Sequence, residues 1–148
     1  LGIFTKVELE SRYHVRIERY IKDMLIEMHT QKEMLDTLVL PAAYAYSGRL
    51  AAAAANAVAA GITSVPQVAA ANQVGGMIEA LVSARNALAA SIEKGEALHH
   101  DAGKQARHLT SSGADAMAAA RDCSDALELT IADELWPLPK YREMLFPV

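Results

Sequence analysis

Glu10, His14 and Glu18 are the residues whose types and spacing come nearest to a metal site in this sequence of 148 residues. At intervals of four they lie on one face of a helix, and carboxylates and imidazoles are metal ligands in helical bundles. The usual di-metal pattern needs a Glu-x-x-His motif on each of two helices and further carboxylates, and the sequence lacks it. We therefore predict a solvated, mutually paired charged face, and a metal-dependent bundle enzyme is the least favoured interpretation of the chain.

A second group of titratable side chains, His99, His100, Asp101 and His108, stands at the start of the last helical segment. Two adjacent histidines cannot both face one site on a regular helix, and His100 and His108 are two turns apart. Asp101 has the residue type that caps a helix or favours its first turn. We expect a structural cap here, with adventitious metal binding as the alternative.

Arg85 is the one polar residue on an otherwise apolar helical stripe. One interpretation is that its aliphatic stem lies along the stripe while the guanidinium reaches water. The other is a partly buried ion pair with an acid on a facing helix or partner chain, such as Glu27, Asp122 or Asp125. Either role is structural, because the sequence shows no nucleophile or phosphate loop that would make it catalytic.

The remaining motifs predict no catalytic, cofactor-binding or metal residue. Cys123, the one cysteine, lies on an apolar stripe, which favours an inert core thiol. Gly75 and Gly76 lie inside a helical pattern and not in a phosphate-binding loop. A net charge of −4 and few aromatic residues disfavour nucleic-acid binding. No apolar run approaches the ~20 residues that cross a bilayer, so we predict no membrane contact.

The elements that position these residues are helices. Apolar periodicity predicts an all-α antiparallel bundle of three long helices in a single domain over residues 1–148. The predicted helices cover about residues 5–60 with a break near 38–41, then 64–95 and 101–135. An extended, Pro-containing arm follows over 136–148, because Pro137 and Pro139 cannot occupy a helix interior and hold the preceding residues extended.

Each helix carries one apolar stripe, while charge pairs at i,i+4 such as Lys32–Asp36 lie on other faces. The stripe of the last helix is made mostly of small residues, which permits close approach of helix axes. The predicted stripe residues are Ile17, Ile21, Met24, Met28, Leu35 and Leu38 in the first helix, Val74, Ile78, Leu81, Leu88 and Ile92 in the second, and Leu109, Gly113, Ala116, Ala120, Cys123, Leu127 and Ile131 in the third.

The helix boundaries follow from residues with special backbone properties. Pro41 predicts either a kink or two abutting helices, so the bundle counts as three or four helices. Gly61 is the expected C′ residue of the first segment. Thr63 or Ser64, followed closely by Pro66, predicts the N-cap of the second.

The segment lengths predict that the start of the first helix, around residues 5–25, projects beyond the bundle. The two later helices are about 45–50 Å long at 1.5 Å per residue, and short links make consecutive helices antiparallel. Residues 42–60 are too short to flank them fully, so the first helix continues back past Pro41. Its projecting apolar residues would need another surface.

Five groups of residues carry a family resemblance, the longest of them at the C-terminal end. They are Glu10-Ser11-Arg12-Tyr13-His14-Val15, Glu18-Arg19-Tyr20-Ile21-Lys22, Ile26-Glu27, Leu40-Pro41-Ala42-Ala43 with Tyr46, and Asp133-Glu134-Leu135-Trp136-Pro137-Leu138-Pro139-Lys140-Tyr141-Arg142-Glu143-Met144-Leu145-Phe146. These motifs resemble the C-terminal region of type III glutamine synthetases, most closely the bacterial forms. The resemblance spans nearly the whole chain, although the Ala-rich middle is similar only in pattern.

The resemblance implies a full enzyme that joins glutamate and ammonia to form glutamine, with ATP hydrolysis and Mg or Mn, in a large homo-oligomer. A cytoplasmic location is the default expectation, because the sequence shows no signal peptide. The resemblance places the catalytic machinery upstream, so this chain is expected to be inactive alone and to hold no cofactor itself. The expected partners are its own catalytic region and other copies. The chain does not begin with Met, which also suggests a fragment. The alternative is a free-standing adaptor that binds a partner helix in an Ala-lined groove.

Overall fold

A computed structural model describes residues 3–145 of the chain, with the side chains of residues 141 and 142 excepted. The described residues contain helices and no β-strand, which confirms the all-α prediction. In chain order the elements are α1 (Lys6–Met34), a π-helical turn (Leu35–Val39), α2 (Leu40–Ala59), α3 (Pro66–Ala97), α4 (Ala102–His108), a second π-helical turn (Leu109–Gly113), α5 (Ala114–Glu128), a 3-10 turn (Asp133–Leu135) and α6 (Tyr141–Leu145).

These elements form three long helices, because each π-helical turn joins its neighbours without a break. We call them the N-terminal long helix (residues 6–59), the central long helix (α3) and the C-terminal long helix (residues 102–128). The N-terminal long helix packs on the central one through α2, and the central helix packs on the C-terminal one through α5.

The N-terminal long helix begins with a capping box. The Thr5 hydroxyl accepts a hydrogen bond from the Glu8 backbone N–H at 3.3 Å, and the Glu8 carboxylate accepts one from the Thr5 N–H at 2.8 Å. These bonds satisfy two donors that a helix start leaves free. The bond from the Thr5 backbone also lowers the pKa of Glu8.

Pro41 does not split the N-terminal long helix. The π-helical turn directly before it widens the backbone, and the Leu40 N–H donates to the carbonyl of Leu35, five residues back. A widened turn relieves the clash between the proline ring and the preceding turn. The disturbance therefore falls on residues 35–39, which overlaps the predicted 38–41 at residues 38 and 39 and begins three residues earlier.

The first π-helical turn also corrects one predicted stripe residue. Leu38 is 36% exposed, whereas Val39 is 1% exposed. A π-helical turn inserts one extra residue into the helical repeat, so the buried face moves from position 38 to position 39. Ile21, Met28 and Leu35 are buried as predicted.

Gly61 reverses the chain after the N-terminal long helix, as predicted. Its φ is +78°, and the Ile62 N–H donates to the Ala57 carbonyl while the Gly61 N–H donates to the Val58 carbonyl. This pair of bonds is a Schellman motif. The predicted N-cap at Thr63 or Ser64 is wrong: the cap of α3 is Val65, which makes no side-chain cap bond, and Pro66 starts the helix.

The core lies between the three long helices. All five predicted stripe residues of α3 are buried, and so are Leu109, Gly113, Ala120, Leu127 and Ile131 on the predicted stripe of the last helix. Gly113 faces Met28, whose sulfur would lie 3.4 Å from a Cβ at that glycine. Small residues in the C-terminal long helix therefore let bulky residues of the other helices enter the interface.

The C-terminal end of the described chain differs from prediction in two respects, the end of the last helix and a short helix in the arm. The predicted helix over 101–135 ends at Glu128, and a turn leads to the 3-10 turn at Asp133–Leu135. Beyond this turn, Trp136 belongs to the core cluster and is buried. Trp136 itself is extended, as its place before a proline predicts. The arm is helical over Tyr141–Leu145, and the predicted extension over 146–148 lies outside the described residues.

Candidate interaction surfaces

Arg85 forms an ion pair with Asp36, which confirms the ion-pair interpretation and corrects the partner. Its Nε and Nη2 donate to the two carboxylate oxygens of Asp36 at 2.5 and 2.8 Å. Lys32 donates to the same carboxylate at 3.0 Å. The side chains of Arg85 and Asp36 are 30% and 25% exposed, so the pair is partly buried. None of the predicted partners Glu27, Asp122 and Asp125 takes part.

The hydrogen bonds from Arg85 hold the pKa of Asp36 below its usual value of 3.8. The same contact raises the pKa of Arg85. Asp36 lies within the first π-helical turn, so this ion pair fixes the turn against the central long helix. Fork-shaped pairing of a guanidinium with a carboxylate adds directional specificity to the helix contact.

The His99 to His108 region serves a structural purpose in the fold. Asp101 is the N-cap of α4 and accepts from the Lys104 N–H at 2.9 Å, a bond that lowers the pKa of Asp101. His108 is buried, with its Nε2 2.9 Å from the Ser91 carbonyl oxygen and 3.2 Å from the Ser91 hydroxyl. The predicted cap is confirmed, and His108 joins two helices.

A close helix approach next to His108 escaped the sequence reasoning. A Cβ at Gly95 would lie 2.9 Å from Cδ2 of Leu109, and the Gly95 carbonyl accepts from the buried side chain of Gln105 at 2.9 Å. The central and C-terminal long helices therefore meet here through a residue without a side chain. In the sequence, a glycine directly after Lys94 is also typical of a helix end. The sequence therefore does not distinguish a close helix contact at Gly95 from a helix terminus.

The predicted charged face over Glu10, His14 and Glu18 is exposed, as expected. The three side chains do not pair with one another: Glu10 forms an ion pair with Lys6, and the His14 ring contacts Tyr13. Within residues 3–145, no group of three or more His, Cys, Asp or Glu side chains is arranged to hold a metal ion.

Cys123 is a free thiol that is partly buried against the core cluster. This placement agrees with a packing role. The assignment of no catalytic, cofactor-binding or metal residue to this chain stays a prediction.

The C-terminal arm packs against the chain's own bundle. Glu134 pairs with Arg49 of α2, and Lys140 pairs with Asp133. Trp136 enters the core cluster and Leu138 packs against it. The proline-rich motif that stands out in the sequence is thus used to close the helical body.

Beside the arm lies a cleft of about 570 Å³ between α1, α5 and Leu138. Its walls are largely apolar, with Arg121 and Asp125 at the cleft. Gln31 crosses it and donates to the Met117 carbonyl at 2.9 Å. The Gln31 Oε1 is buried without a hydrogen-bond partner among the described residues.

The start of the N-terminal long helix projects from the body. Every residue from 6 to 16 is exposed, a length of about 16 Å at 1.5 Å per residue. The projection is shorter than the predicted residues 5–25, because contact with the body begins at Ile17, which packs against the core cluster. The Tyr20 hydroxyl then lies 2.9 Å from that of Thr110. Several large apolar side chains on the projecting end are at least half exposed: Ile3, Phe4, Val7, Leu9, Tyr13 and Val15.

The fold and these surfaces define an all-α bundle domain whose polar contacts hold helices together. In the described part of the chain, no helix is both long and apolar enough to cross a membrane. Residues 1–58 match the family model described as the glutamine synthetase C-terminal domain.

Curated relatives point to the same family. Over 152 aligned residues, 98% of this chain, the sequence is 32% identical to the type-3 glutamine synthetase of Dictyostelium discoideum. Over 26 residues, 18% of this chain, it is 69% identical to a glutamine synthetase of Bacteroides fragilis (strain YCH46). The chain spans 20% of the length of the Dictyostelium relative, and the shorter match spans 4% of the Bacteroides one. The chain belongs to the C-terminal domains of type III glutamine synthetases.

Proposed function

We propose that this chain is the part of a glutamate–ammonia ligase that shapes and joins subunits, while the chemistry takes place elsewhere in the protein. The full enzyme would form glutamine from glutamate and ammonia with ATP hydrolysis, in the cytoplasm, as a homo-oligomer. Similarity along 98% of the chain to one fifth of a type-3 glutamine synthetase supports this role over a free-standing adaptor.

The observation that carries the subunit-contact role is the projecting end of the N-terminal long helix. Its apolar side chains are exposed on a helix with no neighbour from the described part of the chain. Exposed apolar groups of this extent mark surfaces that another protein covers. The covering surfaces we propose are the catalytic region of the same enzyme and other copies of it.

ATP and Mg or Mn would bind outside this chain. Between residues 3 and 145 no cluster of carboxylates or histidines suits a divalent ion, and Gly75 and Gly76 lie inside α3. The donor set of these residues therefore does not fit a divalent ion, and the proposal assigns them no catalytic step.

The test compares the intact parent enzyme with a version that lacks these 148 residues. We expect the shortened enzyme to sediment as smaller particles and to lose ATP-dependent glutamine formation in proportion to lost assembly. An enzyme that keeps both its size and its activity would contradict the proposal. Adding the isolated chain to ATP, glutamate and ammonia should give no glutamine above a buffer control.

A further inference from the structure

The projecting end carries a surface of arginine and aromatic side chains, here called the N-terminal patch: Phe4, Leu9, Arg12, Tyr13 and Arg16. These residues line a concavity of about 420 Å³. The Arg12 guanidinium lies 4.5 Å from the centre of the Phe4 ring. Among the residues that the structure describes, neither arginine has a carboxylate within ion-pair distance. Arginine and tyrosine are concentrated at the strongest points of protein interfaces.

A complementary surface lies on the outer face of the C-terminal long helix, here called the acidic stripe: Asp115, Asp122, Asp125 and Leu129. Intervals of seven, three and four residues place them on one helical face. The three aspartates are exposed and Leu129 is 90% exposed. The stretch from 122 to 135 contains five acidic residues and no Lys or Arg.

The two surfaces cannot meet within one chain. The N-terminal and C-terminal long helices run in the same direction, since Tyr20 lies beside Thr110 and Gln31 beside Met117. Measured along the helix axes from the Tyr20–Thr110 contact, Tyr13 lies about 10 Å toward the start of the helices, at 1.5 Å per residue. Asp122 lies about 18 Å in the opposite direction.

We propose that the N-terminal patch of one copy binds the acidic stripe of a second copy. Leu129 would enter the concavity beside Leu9 and Tyr13, and the two arginines would pair with Asp122 and Asp125. The proposal rests on the subunit-contact role and names the surfaces that carry it. The contact joins two different surfaces, so in a pair one copy keeps its acidic stripe free, the other keeps its N-terminal patch free, and further copies can add.

Charge favours a second copy over a polyanion as the occupant. The chain carries a net charge of −4, and Glu8, Glu10 and Glu18 lie on the other faces of the same helix turns, where they would repel phosphates. The acidic stripe supplies exposed carboxylates next to a large apolar side chain. That combination matches a concavity that mixes guanidinium and aromatic groups. Asp125 pairs with Arg121 of its own helix at 3.6 Å, and that exposed pair would have to open for Asp125 to bind an arginine of the second copy.

Sedimentation velocity of the 148-residue chain over a concentration series tests the contact. We expect association that weakens when NaCl rises from about 50 to about 500 mM, because salt screens exposed charges. Variant R12E/R16E and variant D122R/D125R should each associate at least about tenfold more weakly. An equimolar mixture of the two should form complexes again, because each keeps one native surface.

The control is K22E/K94E, which changes the net charge as much as R12E/R16E does, at exposed positions outside both surfaces. It should associate like the native chain, and circular dichroism should show all variants equally helical. A monomeric native chain, or variants that associate as the native chain does, would overturn the proposal. Neither result changes what the deletion experiment on the parent enzyme measures, so that experiment tests the subunit-contact role independently of these two surfaces.

Discussion

The two ends of the N-terminal long helix are stabilised in different ways. Residues 6–16 are all exposed, whereas the same helix buries Ile21, Met28, Leu35 and Val39 along one face. Both parts contain large apolar side chains, so apolar content does not distinguish them. What differs is whether a second helix lies alongside.

The difference shows which forces act where. The projecting end depends on local interactions, namely the capping box at Thr5 and the exposed ion pair between Lys6 and Glu10. Such interactions contribute a few tenths of a kcal/mol to about 1 kcal/mol each. The body depends on burial of its apolar face, which is the main source of helix stability in proteins.

The largest expected difference comes from one substitution made in both regions. Leu81 is fully buried, whereas Leu9 is exposed on the projecting end. We expect Leu81→Ala to lower the free energy of unfolding by about 2–5 kcal/mol, because it leaves a cavity. Leu9→Ala should change it by less than about 0.5 kcal/mol. Urea unfolding of the monomeric chain measures both changes. Equal losses of unfolding free energy would contradict the division of the helix into a buried body and a projecting end.

Alanine substitutions at two glycines of α3 should change the free energy of unfolding in opposite directions. A Cβ at Gly95 would meet buried Leu109 at 2.9 Å, whereas one at Gly75 would meet nothing within 4 Å. Gly95→Ala should lower the free energy of unfolding by about 1–2 kcal/mol, because the crowding outweighs the better helix propensity. Gly75→Ala should raise it by about 0.5–1 kcal/mol. Stabilisation by both substitutions would show that the helices do not meet at Gly95.

The ion pair of Asp36 should contribute more to the free energy of unfolding than an exposed pair on the same helix does. Asp36→Asn removes a partly buried, two-pronged contact with Arg85, and we expect a loss of about 1 kcal/mol at neutral pH. Asp23→Asn, the control, removes a mostly exposed pair with Arg19 and should cost less than about 0.5 kcal/mol.

The pH dependence of this pair follows from the lowered pKa of Asp36. A depressed folded-state pKa adds stability above the unfolded value near 3.8. That stability is lost as the pH falls further, toward the folded-state pKa. The difference in unfolding free energy between the native chain and Asp36→Asn should therefore shrink below about pH 4. A difference that stays constant through the acid range would argue against the ion pair.

The smallest expected effect concerns the helix cap. Thr5→Ala removes a cap worth about 0.5–1 kcal/mol, but residues 6–16 can fray without unfolding the body. Amide hydrogen exchange should therefore speed up in the first turns of α1 and stay unchanged in α3. Thr30→Ala, at an exposed position within the same helix, serves as the control and should leave both unchanged.

Much of the body could be predicted from periodicity alone. The stripe of α3, the reversal at Gly61 and the Asp101 cap each depend on local rules that hold wherever the chain packs. The π-helical turn at Leu35–Val39 could not be predicted from periodicity, because it depends on how the chain accommodates Pro41 while keeping one face of the helix buried. The same one-residue shift explains why Leu38 was placed in the core.

The partner of Arg85 was missed although a signal existed. An antiparallel pairing about the loop at residues 60–65 sets position 85 opposite positions near 36–40. The i,i+4 spacing predicts a surface pair of Asp36 with Lys32, and Asp36 makes that bond as well as the one to Arg85. The end of the last helix at Glu128 is not predicted because the apolar periodicity continues to Ile131, which is buried beyond the helix end, so the pattern does not mark the turn.

The central claim is that the projecting end is covered only when subunits assemble. Amide hydrogen exchange of residues 6–16, measured in the isolated chain and in the assembled parent enzyme, tests it most directly. The account predicts fast exchange there in the isolated, monomeric chain beside slow exchange in α3, and strong protection of the same residues in the assembled parent enzyme. Protection already complete in the monomer, or none gained on assembly, would contradict it.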